Sequence, residues 1–211
     1  MEANGSQKTG LGQRRQQQIL RAAENEFEQY GFNGARMQRI ADRAGVPKSN
    51  VHYYFANKSE LYDAVLVNVV ALWDQALAPI DPDSNPTEVL LEYVRLKVEF
   101  THRYPAATRI FALELLHGGD KMSKRLNRRT CQWTHERAAE IQRWIDRKQI
   151  LPLNPYHLIF MIWASTQHYA QSETQVRAIY RKRSLTARDH QQWAQSLQVM
   201  VLRICGLENP D

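Results

Sequence analysis

Lys48, Ser49, Asn50, His52 and Tyr53 bring an amine, a hydroxyl, a carboxamide, an imidazole and a phenol into one short stretch. All five groups exchange hydrogen bonds with base edges and phosphate oxygens. Val46, Val51, Tyr54 and Phe55 interleave with them, so a helix through this stretch packs its apolar set on Ile40 and Phe27 and turns the polar set outward. One such helix fits the major groove of B-DNA, which is about 12 Å wide. Arg36 adds a cation upstream, and Lys58 lies in the first turn of the next helix, where free N–H groups and the helix dipole favour a phosphate.

A second constellation stands in LIFMIWASTQHYA, where Trp163 and Gln167 are spaced i,i+4 and project from one helical face with Thr166 beside them. An indole stacks on a planar ring, and a carboxamide offers a donor and an acceptor to a lactam or imide edge such as that of uracil. The same residues also build a satisfied core, with the Gln bonded to backbone and the Trp packed. Spacing leaves both readings open.

These residues need helices to position them. Ile19, Leu20, Ala23, Phe27 and Tyr30 recur with helical period and Gly31 ends the pattern, which predicts a helix over 13–30 preceded by a flexible basic arm over 1–12. Met37, Ile40, Ala41 and Ala44 form a stripe of about two turns ending at Gly45, and a third short helix starts near Pro47. Asn57 and Glu60 read as a capping box that opens a fourth helix toward Pro79. Helical patterns continue from Thr87 to Arg103, Pro105 to His117, about Asp120 to Gln149, Pro155 to Gln171 and Thr186 to Cys205. No segment reads as a strand. The fold class is therefore all-α, with a three-helix helix-turn-helix domain over 13–57 and a helical ligand-binding and dimerisation domain over 58–211.

Composition limits the function classes. Of 211 residues, 43% are hydrophobic and 24% charged, which suits a folded globular chain, and a net charge of +6 is compatible with a polyanionic partner without requiring one. Cys131 and Cys205 allow one bridge at most and no zinc spacing, so a reducing cytoplasm is expected and neither metal nor cofactor is. His157 and His168 share a helical face, but eleven residues separate them by about 16 Å, too far for one ion. The longest apolar run, from Leu158 to Ala164, falls far short of a membrane span. A small helical enzyme is the remote alternative, for the chain holds no HExxH, P-loop, dinucleotide turn or serine elbow. The nine basic residues between Lys121 and Ile150 read as a solvated face rather than a second nucleic-acid surface.

The segment GFNGARMQRIADRAGVPKSNVHYYFANKSELYDAVL resembles the DNA-binding part of TetR-type transcriptional regulators. The resemblance runs through Gly31-Phe32, Ile40-Ala41, Ala44-Gly45-Val46, Tyr54-Phe55 and the Asn57 to Leu61 motif. Family members commonly carry Thr, Ser and Tyr where this chain has Ala35, Pro47 and His52, so contacts at those three positions do not transfer. The resemblance implies a double-stranded DNA operator read by Lys48, Asn50 and Tyr53 above all. It also implies a homodimer whose last two helices meet those of a second copy.

LIFMIWASTQHYA with EYVRLKVEFTHRYPAATRIFALELL is similar to the sensor domain of RutR-like regulators, which repress pyrimidine-utilisation genes and respond to uracil or thymine. That resemblance implies an effector pocket using Trp73, Lys97, Trp163 and Gln167, while Ser172 to Arg183 matches less well. A sensor for a lipophilic drug or acyl compound is the alternative within the same family, and it calls for a mainly aliphatic pocket.

Overall fold

The computed structural model describes residues 4–76, 84–119 and 124–208, with side chains described at 12–71, 84–119 and 128–208. The described residues form helices without strands: α1 (Asn4–Gly34), α2 (Met37–Ala44), α3 (Lys48–Tyr54), α4 (Lys58–Ala76), α5 (Pro86–Arg103), α6 (Pro105–Leu116), α7 (Lys124–Asp146), α8 (Pro155–Gln171), α9 (Glu173–Ile179) and α10 (Ala187–Cys205). The protein is all-α, as its periodicity predicts.

Helix ends fall where local chemistry puts them. Gly45 adopts φ 62° and its N–H, with that of Val46, closes on the carbonyls of Asp42 and Ala41, which a residue with a Cβ would do only under strain. Asn57 Oδ1 accepts from the Glu60 N–H at 2.9 Å, while the Glu60 carboxylate accepts from the Ala56 N–H at 2.8 Å, one residue before the cap. Asn154 accepts from the N–H groups of Tyr156 and His157, and Thr186 with Asp189 closes a reciprocal capping box.

Three boundaries differ from the sequence reading. Helix α1 begins at Asn4, so 4–12 is helical rather than an arm outside the helix; those residues carry no apolar stripe for periodicity to detect. Gly31, at φ 64° and ψ 177°, still kinks the helix where the apolar pattern stops. Helix α9 has seven residues and one buried position, Val176, too short for a periodic signal. Helix α5 starts at Pro86, capped by Asn85 through the Thr87 N–H.

The chain forms two compact units, one of residues 1–70 and 109–123, the other of 71–108 and 124–211. The first is therefore larger than the span 13–57 expected for the head. Its core holds Ile19, Phe27, Ile40, Val51, Leu61 and Leu66, each essentially inaccessible, and each such burial is worth roughly 1.5–3 kcal/mol. Tyr62 of α4 lies edge-on to Phe27 with ring centroids 4.7 Å apart, which draws the first turns of α4 into this core. Glu28 of α1 and Arg109 of α6 meet with Oε1 and Nε 2.8 Å apart.

In the second unit α5 packs on α8 and α10, and α7 on α8. Val94, Val98, Trp144, Ile162, Val201 and Cys205 form the middle of its core. Tyr169 stacks on Trp193 at 3.7 Å between centroids, and Gln198 Nε2 donates to the Leu91 carbonyl at 2.8 Å, fastening α10 to α5.

Candidate functional site

In the first unit, α1 fixes α2 through one carboxylate. Glu26 is 0% exposed, and its Oε1 accepts from Arg39 Nε at 2.6 Å and from the Arg36 N–H at 3.1 Å. Arg39 also donates to the Gly34 carbonyl at 2.7 Å and lies 4.1 Å above the Tyr30 ring. Gln18 Nε2 donates to the Ala44 carbonyl at 2.8 Å at the other end of α2. Held in this way, α2 presents the turn through Gly45 and Pro47 that starts α3.

Helix α3 divides as the interleaved pattern predicts. Val51 and Phe55 are buried, with Val46 and Tyr54 half-buried. Lys48, Ser49 and His52 are exposed, and Tyr53 is 82% exposed, its ring edge-on to Tyr54. Asn50 is half-buried and its N–H is taken by the Pro47 carbonyl. His52 Nδ1 lies 3.3 Å from the Ala56 carbonyl; a carbonyl only accepts, so Nδ1 carries the proton and Nε2 is left outward. Arg36, at the start of α2, is exposed.

Lys58 is placed differently from the phosphate contact expected of it. Its Nζ donates to the carbonyls of Asn33 and Ala35 at 3.3 and 3.2 Å and sits 4.7 Å from the centroid of Phe32. The ammonium satisfies the carbonyls that α1 leaves open at its end, which makes it first a clasp between α1 and α4.

In the second unit, Trp163 and Gln167 project from one face of α8 as their spacing predicts. Trp163 Nε1 donates to the Tyr93 hydroxyl at 2.6 Å, and Lys97 Nζ lies 5.9 Å from the Trp163 ring centroid. Gln167 is half-buried and accepts from Gln171 Nε2 at 3.2 Å. Thr166 does not join them: its buried hydroxyl donates into α8 itself, 2.7 Å from the Ile162 carbonyl, because a threonine inside a helix finds its own backbone nearest. The side chain of Trp73 lies outside the described residues.

Tyr93, Trp133 and Arg137 complete this cluster and are absent from the pocket residues that the sequence reading names. Trp133 stands near-parallel to Tyr93 and to Trp163, with centroids 6.2 and 6.1 Å apart, and the Arg137 guanidinium is 5.9 Å from the Trp133 ring. The signal available was paired i,i+4 spacing, Tyr93 with Lys97 on α5 and Trp133 with Arg137 on α7. Only packing shows that the two pairs converge.

Burial sets the electrostatics here. Lys97 is 4% exposed, and desolvation lowers its pKa to about 8. Burial pushes the Tyr93 phenol upward, opposed by its hydrogen bond from Trp163 and by the charge of Arg137. The basic run of α7 is thus not uniformly a solvated face: Arg128, Arg129, Arg147 and Lys148 are exposed, whereas Arg137 is buried. Lys121 and the side chains of Lys124 and Arg125 lie outside the described residues.

Comparisons with known proteins agree with this geometry. Residues 19–65 match the family profile described as bacterial regulatory proteins, tetR family, and residues 66–208 match that of the YcdC-like protein, C-terminal region. The HTH-type transcriptional regulator RutR of Escherichia coli strain K12 is 42% identical over 161 residues, covering 76% of each chain. The HTH-type transcriptional repressor NicS of Pseudomonas putida is 33% identical over 129 residues, covering 59% of this chain and 61% of its own. A tetR-family regulatory protein from Rhodococcus RHA1 superposes with a TM-score of 0.73 at 17% identity, covering 92% of this chain and 98% of its own, which is a likeness of fold.

Proposed function

The chain belongs to the TetR family of bacterial transcriptional regulators, and from that premise we propose that it represses genes of pyrimidine (uracil or thymine) catabolism and is released from its operator by a pyrimidine-type effector. The observation that carries DNA reading is the division of α3: Lys48, Ser49, His52 and Tyr53 are exposed while Val51 and Phe55 are buried. Helix dimensions and residue chemistry suit base edges, with Asn50 reaching from the half-buried flank and Arg36 supplying a phosphate contact. Lys58 steadies the end of α1 in this reading and has one N–H left for a phosphate.

The effector reading rests on the 42% identity to RutR and on Lys97 lying against the ring of Trp163, one helical turn before Gln167 on α8. An indole face for the ring and a carboxamide for its imide edge favour a small polar heterocycle over an acyl chain. Two copies associate through α8 and α10, where Phe160, Met200 and Ile204 stand exposed, and so present two copies of α3 to a near-palindromic operator.

Release requires the effector to prefer a conformation in which α3 no longer meets the operator. Helix α4 is one continuous element from Lys58 to Ala76 and carries Trp73, so it is the element to transmit a shift. Footprinting on DNA upstream of the gene, at two salt concentrations and with or without uracil, tests the reading. Protection that weakens steeply with salt and disappears with uracil is expected; protection indifferent to every pyrimidine overturns the effector, and no protection at low salt overturns the DNA reading.

A further inference from the structure

Between α5, α7 and α8, among aliphatic and aromatic side chains, two residues bury hydrogen-bond donors that lack an acceptor among the described residues. Arg137 and Trp144 line a small cavity of about 20 Å³ there, together with Tyr93, Trp133 and aliphatic side chains such as Leu90 and Ile159. Arg137 is 9% exposed and Trp144 1%, yet Arg137 Nε, Arg137 Nη1 and Trp144 Nε1 are buried without a hydrogen-bond partner among the described residues. Arg137 Nη2 is engaged, 3.0 Å from Glu140 Oε1. Glu140 also faces Arg143 at 3.9 Å, and its Oε2 is unpartnered as well.

A guanidinium stays charged at every physiological pH, so Arg137 cannot escape burial by losing a proton. An indole N–H is a donor only. Their open positions therefore call for an acceptor from outside the chain. A cavity of this volume holds about one water, whose two lone pairs accept from two of the three donors at most. Arg137 and Arg143 both face the one carboxylate of Glu140, and a charged donor is best answered by an anion.

We propose that this cavity is an anion-binding end of the effector site, and that the effector is a planar ring carrying a carboxylate. The ring lies against Trp133 and Trp163, and the carboxylate oxygens accept from Arg137 and Trp144. This rests on the pyrimidine reading for the ring alone; the anionic group follows from the unpaired donors. Entry of such a molecule parts the stacked rings of Tyr93, Trp133 and Trp163, so binding changes tryptophan fluorescence.

Calorimetric titration of the full-length protein with uracil, uracil-5-carboxylate, uracil-6-carboxylate, their carboxamides and benzoate, with fluorescence recorded in parallel, tests the proposal. At least one uracil carboxylate is expected to bind tenfold or more tightly than uracil and than its own carboxamide. Arg137→Gln should erase that preference, bringing the acid to the affinity of its own carboxamide, and Arg137→Lys should keep part of it. Should Arg137→Gln fail to fold, the acid-against-carboxamide comparison in the unaltered protein decides alone. Uracil binding as well as or better than both carboxylates overturns the anionic end and leaves the pyrimidine reading intact. Benzoate binding without any pyrimidine keeps the anionic end and removes the pyrimidine. No binding by any of these compounds overturns both.

Discussion

At the scale of single residues, exposure separates side chains that act on a partner from those that hold the fold. Lys48 and Tyr53 are exposed on α3, so replacing either with Ala is expected to leave unfolding free energy within about 0.5 kcal/mol. The same changes should weaken operator binding by about 1–3 kcal/mol each, and Lys48→Ala should reduce the salt slope by about one, as gel-shift titration would read. Lys97 behaves oppositely, because burial penalises its charge. Its pKa near 8 lies below the ordinary lysine value, so from pH 8 to about 10 the unfolded chain keeps a proton the folded chain has released, and stability rises with pH. Below pH 8 the cost is present in full. Above about 10, tyrosines whose pKa burial raises, Tyr62 and Tyr93 among them, reverse the trend, since their phenols ionise first in the unfolded chain. Urea titrations from pH 7 to 9 should show a rise of about 1 kcal/mol in the unaltered protein that Lys97→Met lacks; above that range the buried Cys205 thiol, pushed up to about 11, opposes the rise.

At the scale of elements, helix ends decide where the chain turns, and two of them make opposed predictions. Gly206 closes α10 at φ 73°, and a Cβ there would lie 2.4 Å from Leu151 Cγ. Gly206→Ala should therefore destabilise the protein by about 2–3 kcal/mol, through left-handed strain and displacement of Leu151. Lys148 follows α7 at φ 57° with a Cβ that this conformation disfavours. Lys148→Gly should stabilise by about 0.5–1 kcal/mol, and an unchanged or lowered denaturation midpoint would contradict that account. Glu26 works between elements, since one buried carboxylate serves both the backbone start of α2 and Arg39.

At the scale of the whole molecule, the proposed function calls for two copies of α3 at a fixed spacing, which no single chain provides. Met200 and Ile204 stand i,i+4 and exposed on α10, as an apolar stripe awaiting a second copy does. Met200→Glu with Ile204→Glu is expected to give a monomer in light scattering and to lose operator binding while keeping its helical circular dichroism. A double variant that stays dimeric would place the interface elsewhere. The net charge of +6 adds a general attraction to DNA but no sequence preference, so it should appear only in the salt dependence.

The sequence by itself determined the helices with strong apolar stripes, their caps at Gly45 and Asn57, and the outward set on α3, because each follows from spacing within one element. It could not report 4–12 or α9, which carry little or no stripe, and it set Thr166 beside Trp163 and Gln167 without reporting that a helical hydroxyl turns to its own carbonyls. Tertiary structure alone decided that Lys58 clasps α1 and that Tyr93, Lys97, Trp133, Arg137 and Trp163 converge. These contacts join residues tens of positions apart, and periodicity reads which face of a helix is apolar without saying which other helix that face will meet.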